Sequence, residues 1–156
     1  MGKVVKREVV GARMGSISSY KVKKLYVPKM DALKRFVLTL RLRNTKYTVV
    51  EQCAIFARII DGKVVQGWAM SPSPTGGQVA CQHYWVEDDV RGVYDVGRGY
   101  STLFDPELGA LRVDLTREKP DEGVELIGYD EPISQRNREL FELYTSDPVA
   151  FWKPVS

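Results

Sequence analysis

The sequence predicts an α+β fold, with helices in the N-terminal half packed on an antiparallel β-sheet that follows them. Two observations carry that prediction. Thr48-Val49-Val50-Glu51 has the form of a capping box, and the apolar residues Cys53, Phe56, Ala57 and Ile60 follow it at helical spacing. Further on, Lys63 to Met70 and Gln78 to Glu87 have strand composition, and the segment between them holds Pro72, Pro74, Gly76 and Gly77, as a loop would.

Taken in order, residues 1–27 alternate weakly, are rich in Lys and Ser, and read as a basic arm with one strand around Val22 to Val27. Residues 28–156 read as a single domain. Between Met30 and Leu42, the residues Leu33, Phe36, Val37 and Leu40 follow helical spacing, and Lys34, Arg35, Arg41 and Arg43 lie mostly off that stripe. This is an amphipathic helix whose basic face is a candidate for contacts with anions. The second helix begins after Thr48, and Asp61-Gly62 closes it with Gly62 as the left-handed terminal residue. A hairpin at Asp61-Gly62 is the rival, because Ala54 to Ile60 is rich in β-formers. The capping box and the spacing favour the helix. A third strand is expected from Gly92 to Val96 after a turn at Asp88 to Arg91, and further strands at Leu111 to Leu115 and Val124 to Tyr129. A helix from Arg136 to Tyr144 is broken by Asp147-Pro148, and Phe151 and Trp152 dock the tail.

The 156 residues suffice for one buried core; 44% are hydrophobic and 28% charged, ordinary values for a globular protein. No apolar run has the length of a membrane span and no secretory leader is evident, so a cytoplasmic protein is expected, in the host cytoplasm if it is encoded by a virus or phage. Two cysteines and one histidine cannot complete a disulfide scaffold or a Cys₂His₂ zinc site. The net charge of +3 conceals an asymmetry: residues 1–47 hold 13 Lys/Arg against Glu8 and Asp31, a balance of +11, and residues 48–156 carry −8. A basic third of this kind can face nucleic acid or an acidic protein. With no nucleic-acid motif beside it, attraction within one fold, or a solvated arm, is the simpler account.

Chemistry is suggested by Cys81 to Glu87. Alternation puts Cys81, His83, Trp85 and Glu87 on one face. A hairpin centred on Asp89 places Arg91 opposite Glu87, Val93 opposite Trp85 and Asp95 opposite His83, with opposed Cβ atoms roughly 4.5–5.5 Å apart. Asp95 can then fix the tautomer of His83 and leave its other nitrogen free as a base. Cys53, near a helix start and beside an imidazolium, is expected to ionise below the free-thiol value of about 8.5. It would attack a carbonyl, with backbone amides and Gln52 at the oxyanion, and with Trp68 and Trp85 along the substrate groove. Cys81, on the His83 face, is the second candidate thiol. Cys53, Cys81, His83 and Asp95 hold donor atoms for one metal ion, but none sits in a recognised metal-binding context, so neither metal nor cofactor is expected. Gly97-Arg98-Gly99-Tyr100 is a candidate lip beside Asp95. Taken singly, each of these residues also has a purely structural role open to it: a small buried cysteine, a core histidine, an aspartate paired with Arg91 or Arg98.

The order of Cys53 and its helix, a strand ending Gly67-Trp68, then His83-Tyr84-Trp85-Val86-Glu87 and Val93-Tyr94-Asp95, resembles the transglutaminase-like branch of the papain-like cysteine enzymes over residues 48–97. The resemblance implies a papain-like, transglutaminase-like core and a triad of Cys53, His83 and Asp95. It also implies hydrolysis or acyl transfer at an amide (peptide or isopeptide) or ester bond of a protein or peptide substrate, through a thioester. The rival is a non-enzymatic binding protein whose basic N-terminal region engages nucleic acid or an acidic protein. The two differ in one respect that a structure reads directly: the enzyme needs a solvent-reachable Cys53 beside His83, and the binding protein buries it.

Overall fold

The computed structural model describes residues 23–44, 46–98, 111–112 and 114–153. Most of the basic arm, and residues 99 and 100 of the lip at 97–100, lie outside these residues. The order of elements is β1 (Lys23–Lys24), α1 (Met30–Leu42), α2 (Val49–Ile60), β2 (Lys63–Pro72), β3 (Gln78–Glu87), β4 (Val93–Tyr94), a 3₁₀ turn (Val96–Arg98), β5 (Leu111–Arg112), β6 (Leu115–Thr116), β7 (Glu125–Leu126), α3 (Pro132–Ser146) and α4 (Pro148–Trp152). Among the described residues, no helix is long and apolar enough to cross a membrane.

Helix α2 is the centre of the core. Thr48 caps it as its sequence dictates: Glu51 N donates to Thr48 Oγ1 at 3.2 Å, and Thr48 N donates to Glu51 Oε1 at 2.9 Å. At the other end Asp61, and not Gly62, takes the left-handed conformation, with φ 58°. Gly62 follows it and donates to Ala57 O at 2.7 Å. Gly62 is needed for another reason, since a Cβ there would lie 2.8 Å from the Glu87 carbonyl oxygen. The expected hairpin rival is therefore absent, and α2 runs directly into β2. Val50, Phe56 and Ile60 are buried, each contributing about 1.5–3 kcal/mol of transfer free energy. The Phe56 ring meets Phe36 of α1 and Tyr94 of β4, both with centroids at 5.4 Å.

Strands β2 and β3 form an antiparallel hairpin in register from Lys63↔Glu87 to Pro72↔Gln78. The turn is closed by Gly76 and Gly77, at φ 100° and 77°, which a side chain would resist. The main sheet runs β4-β3-β2-β6, and β7 adds a parallel pairing to β3. β1 and β5 make a separate antiparallel pair. Alternation divides the hairpin into two faces. Val64, Gln66, Trp68 and Met70 oppose Val86, Tyr84, Gln82 and Ala80, and Tyr84 and Val86 share a core with α2. Lys63, Val65, Gly67 and Ala69 oppose Glu87, Trp85, His83 and Cys81 on the other face.

The β3–β4 connection departs from the sequence expectation. Glu87 pairs with Val93 and Val86 with Tyr94, so the turn is centred on Val90 and not Asp89. Asp88 causes this. Its Oδ1 accepts from Val90 N at 3.1 Å and Gly92 N at 2.7 Å, and Arg91 turns left-handed at φ 68°. The expected pairs Arg91–Glu87, Val93–Trp85 and Asp95–His83 each shift by two residues. A shift of two keeps every side chain on its face, whereas a shift of one would have reversed them all.

Lys29 and Tyr94 tie the helices to this edge. Lys29 Nζ donates to the Ile60 carbonyl at the end of α2, at 3.2 Å, where a cation meets the negative helix terminus. Tyr94 Oη donates to Asp88 Oδ2 at 2.7 Å and accepts from Lys29 N at 3.2 Å.

Candidate active site

Asp95 follows the last paired residue of β4 and precedes the 3₁₀ turn. Its carboxylate still reaches His83, with Nε2 to Oδ1 at 2.8 Å. The Asp95 side chain is 2% exposed and that of His83 is 21% exposed, so the pair has a buried acid and a partly wetted imidazole. Because Nε2 is engaged by Asp95, Nδ1 is the nitrogen left to meet a ligand or a proton.

Cys53 does not join them. It is the fifth residue of α2, a full turn inside the helix, and it is 0% exposed. Its neighbours in the core are those of the Tyr84 face of β3, whereas His83 occupies the opposite face. Among the described residues no hydrogen bond links the thiol to His83. Burial pushes the Cys53 thiol far up, and the nearby Asp95 charge pushes it further, so the expected lowering by helix and imidazolium is reversed. The reason lies in position. The favourable field of a helix terminus is confined to the first turn, and the Cys53 amide is already inside the helical ladder.

The helix start does reach the dyad, but with a different residue. A Cβ on Gly97 would lie 3.6 Å from Val49 Cγ1, 3.7 Å from His83 Cε1 and 3.9 Å from Asp95 Oδ1. Gly97 thus lies between the helix start and the dyad, and the side chain that the first helical position brings to it is aliphatic. The amides of that turn are also occupied: Val50 N donates to Asn137 Oδ1 at 3.4 Å, and Glu51 N to Thr48. Val49 was legible as the first helical position from the capping box. Asn137, 87 residues away, carries no sequence signal of its role.

The remaining candidates have other engagements. Gln52 Nε2 donates to the Tyr47 carbonyl at 2.9 Å. Trp68 is buried on the sheet face opposite His83 and stacks on Tyr129 at 5.7 Å. Trp85 shares the His83 face but is buried over Gly67, and its Nε1 donates to Glu87 Oε2 at 2.9 Å. Glu87 also pairs with Arg117. Trp85 does line a cavity of about 270 Å³, with Tyr26, Val93 and Arg117, but His83 is not part of that lining. Cys81 is exposed, and burial of part of its side chain and the Glu131 charge raise its thiol pKa as well. Among the described residues no group of three or more His, Cys, Asp or Glu is placed to hold a metal ion.

Of the basic candidates, Arg35, Arg41 and Arg43 are exposed and Lys34 is half-buried, all on or just after α1. The arrangement can therefore do two things: hold a proton at a buried-acid/imidazole pair, and present cations along α1. Comparison of the chain with protein-family models, with curated proteins and with solved structures finds no match.

Proposed function

We propose that this chain is a non-enzymatic binding protein that engages an acidic protein partner through its basic N-terminal region, on a papain-like, transglutaminase-like core that lacks a usable nucleophile. The observation that carries the reading is Cys53: wholly buried, raised in pKa, and on the other side of β3 from His83. A thiol held neutral and dry cannot attack a carbonyl. Arg35 and Arg43 support the binding half, since neither forms an ion pair among the described residues.

One observation favours a second reading. The His83–Asp95 hydrogen bond engages Nε2 and leaves Nδ1 without a partner among the described residues, and the imidazole is partly exposed, which is the arrangement a general base needs. In that reading the chain is a cysteine-dependent hydrolase or acyl transferase working on an amide or ester through a thioester. Cys53 is then uncovered by a rearrangement of α2, or Cys81 is the thiol.

Iodoacetamide labelling separates the two. In a Cys81→Ser background the binding reading expects slow alkylation of Cys53 across neutral pH, unchanged by His83→Ala. Fast labelling well below pH 8 that disappears with His83→Ala would overturn it and establish the thiolate–imidazolium pair.

A further inference from the structure

Helices α1 and α2 leave an apolar groove between them. Its volume is about 350 Å³, its floor includes Phe36, Leu40 and Ile55, and Ile59 stands at its side 58% exposed. Arg35 and Arg43 lie on its α1 wall. The lining positions of α1 and its C-terminal cap run from Ala32 to Arg43, which at 1.5 Å per residue is a trough roughly 16 Å long. That is the length of about three helical turns.

We propose that this groove receives an amphipathic, acidic helix of a partner protein, a commitment that rests on the binding reading above and names the partner's chemistry. The floor takes apolar side chains spaced i, i+3, i+4 and i+7, the pattern by which a helix presents one stripe to a groove. The two guanidiniums face carboxylates on its flank, where Arg can bind bidentately. An apolar floor with cations along one wall suits a striped helix better than nucleic acid, whose backbone is met by cations without such a floor. The chain's own first 22 residues do not suit the groove: they carry Lys3, Lys6, Arg7, Arg13 and Lys21 against Glu8 alone. Like charges at Arg35 and Arg43 repel them.

The test uses a fluorescein-labelled synthetic helix of about 14 residues with a leucine stripe flanked by glutamates. Its comparison probes are a scrambled peptide of the same composition, oligoglutamate of equal length and a single-stranded oligonucleotide, all read by anisotropy against the full chain. The striped peptide is expected to bind at least about tenfold tighter than the scrambled one. Ile59→Asp and the double change Arg35→Glu/Arg43→Glu should each weaken it about tenfold, and Val149→Asp, on an exposed residue of α4, should not. Ile59 is exposed, so its variant keeps the fold, and the arginine variant tests the same groove independently. Equal binding of striped and scrambled peptides, or indifference to Ile59→Asp, overturns the groove while salt-sensitive oligoglutamate binding upholds the broader reading. Tighter binding of the oligonucleotide than of any peptide overturns the protein partner. Silence from every probe overturns both.

Discussion

Changing Tyr94 to Phe removes one oxygen from the edge that carries Asp95. The ring is 0% exposed and packs on Phe56, so the phenyl group keeps its place and the loss is confined to hydrogen bonds. Two go: the 2.7 Å bond donated to Asp88, and the 3.2 Å bond accepted from Lys29 N. A bond to a charged group is worth about 1.5–3 kcal/mol and a neutral one about 1, so the variant should lose roughly 2–4 kcal/mol. For a chain of this size that is a fall of roughly 5–12 °C in Tm. The pH dependence supplies a stricter check. Burial pushes the Asp88 carboxyl up, but the hydrogen bonds from Tyr94, Gly92 and Val90 outweigh it, and its pKa is lowered. A depressed folded pKa gives stability that is present above the unfolded value of about 3.9 and is lost as pH falls through the folded one. The gap between wild type and Tyr94→Phe should therefore be full at pH 7 and narrow below about pH 4. Thermal melts followed by circular dichroism at both pH values measure it. A gap below about 0.5 kcal/mol at pH 7, or one that persists unchanged in acid, would refute the bonding scheme.

Two further substitutions probe the site and the sheet. Val49→Cys places a thiol at the first helical position, next to Gly97, which itself borders His83. It should alkylate faster than Cys53 at pH 7, with the advantage lost in His83→Ala; equal rates would show that the helix start does not address the dyad. Gly67→Ala drives a methyl group into the Trp85 ring and the Thr116 carbonyl, between which no space remains. Loss of about 3 kcal/mol or more is expected in urea unfolding, and a change under about 1 would mean that β6 yields easily.

Local chemistry made much of this protein legible from its residues alone. The Thr48–Glu51 capping box located the start of α2, because both partners lie within one turn. The loop with Gly76 and Gly77 separated β2 from β3, and the period of two placed His83 and Trp85 on one face. Even the His83–Asp95 contact was foreseen, although the register behind it was two residues off. It survived because a shift of two preserves the face.

What the sequence could not decide was in one turn a choice between local alternatives, and elsewhere depended on residues far apart in the chain. Asp88 moves the turn by capping Val90 and Gly92 with one carboxylate oxygen, a choice that spacing does not reveal. Cys53 looks like a nucleophile on helical spacing, and only the packing of α2 against the Tyr84 face of β3 removes it from solvent and from His83. Asn137 reaches the first turn of α2 from 87 residues away. The groove beside Arg35 exists only because tertiary packing sets α1 against Ile55 and Ile59 of α2. The cap at the start of α2 and the alternation of the strands act between near neighbours, and so the sequence by itself determined them. Burial, and with it the ionisation of a thiol, is set by atoms from distant segments, and only the tertiary structure decided it.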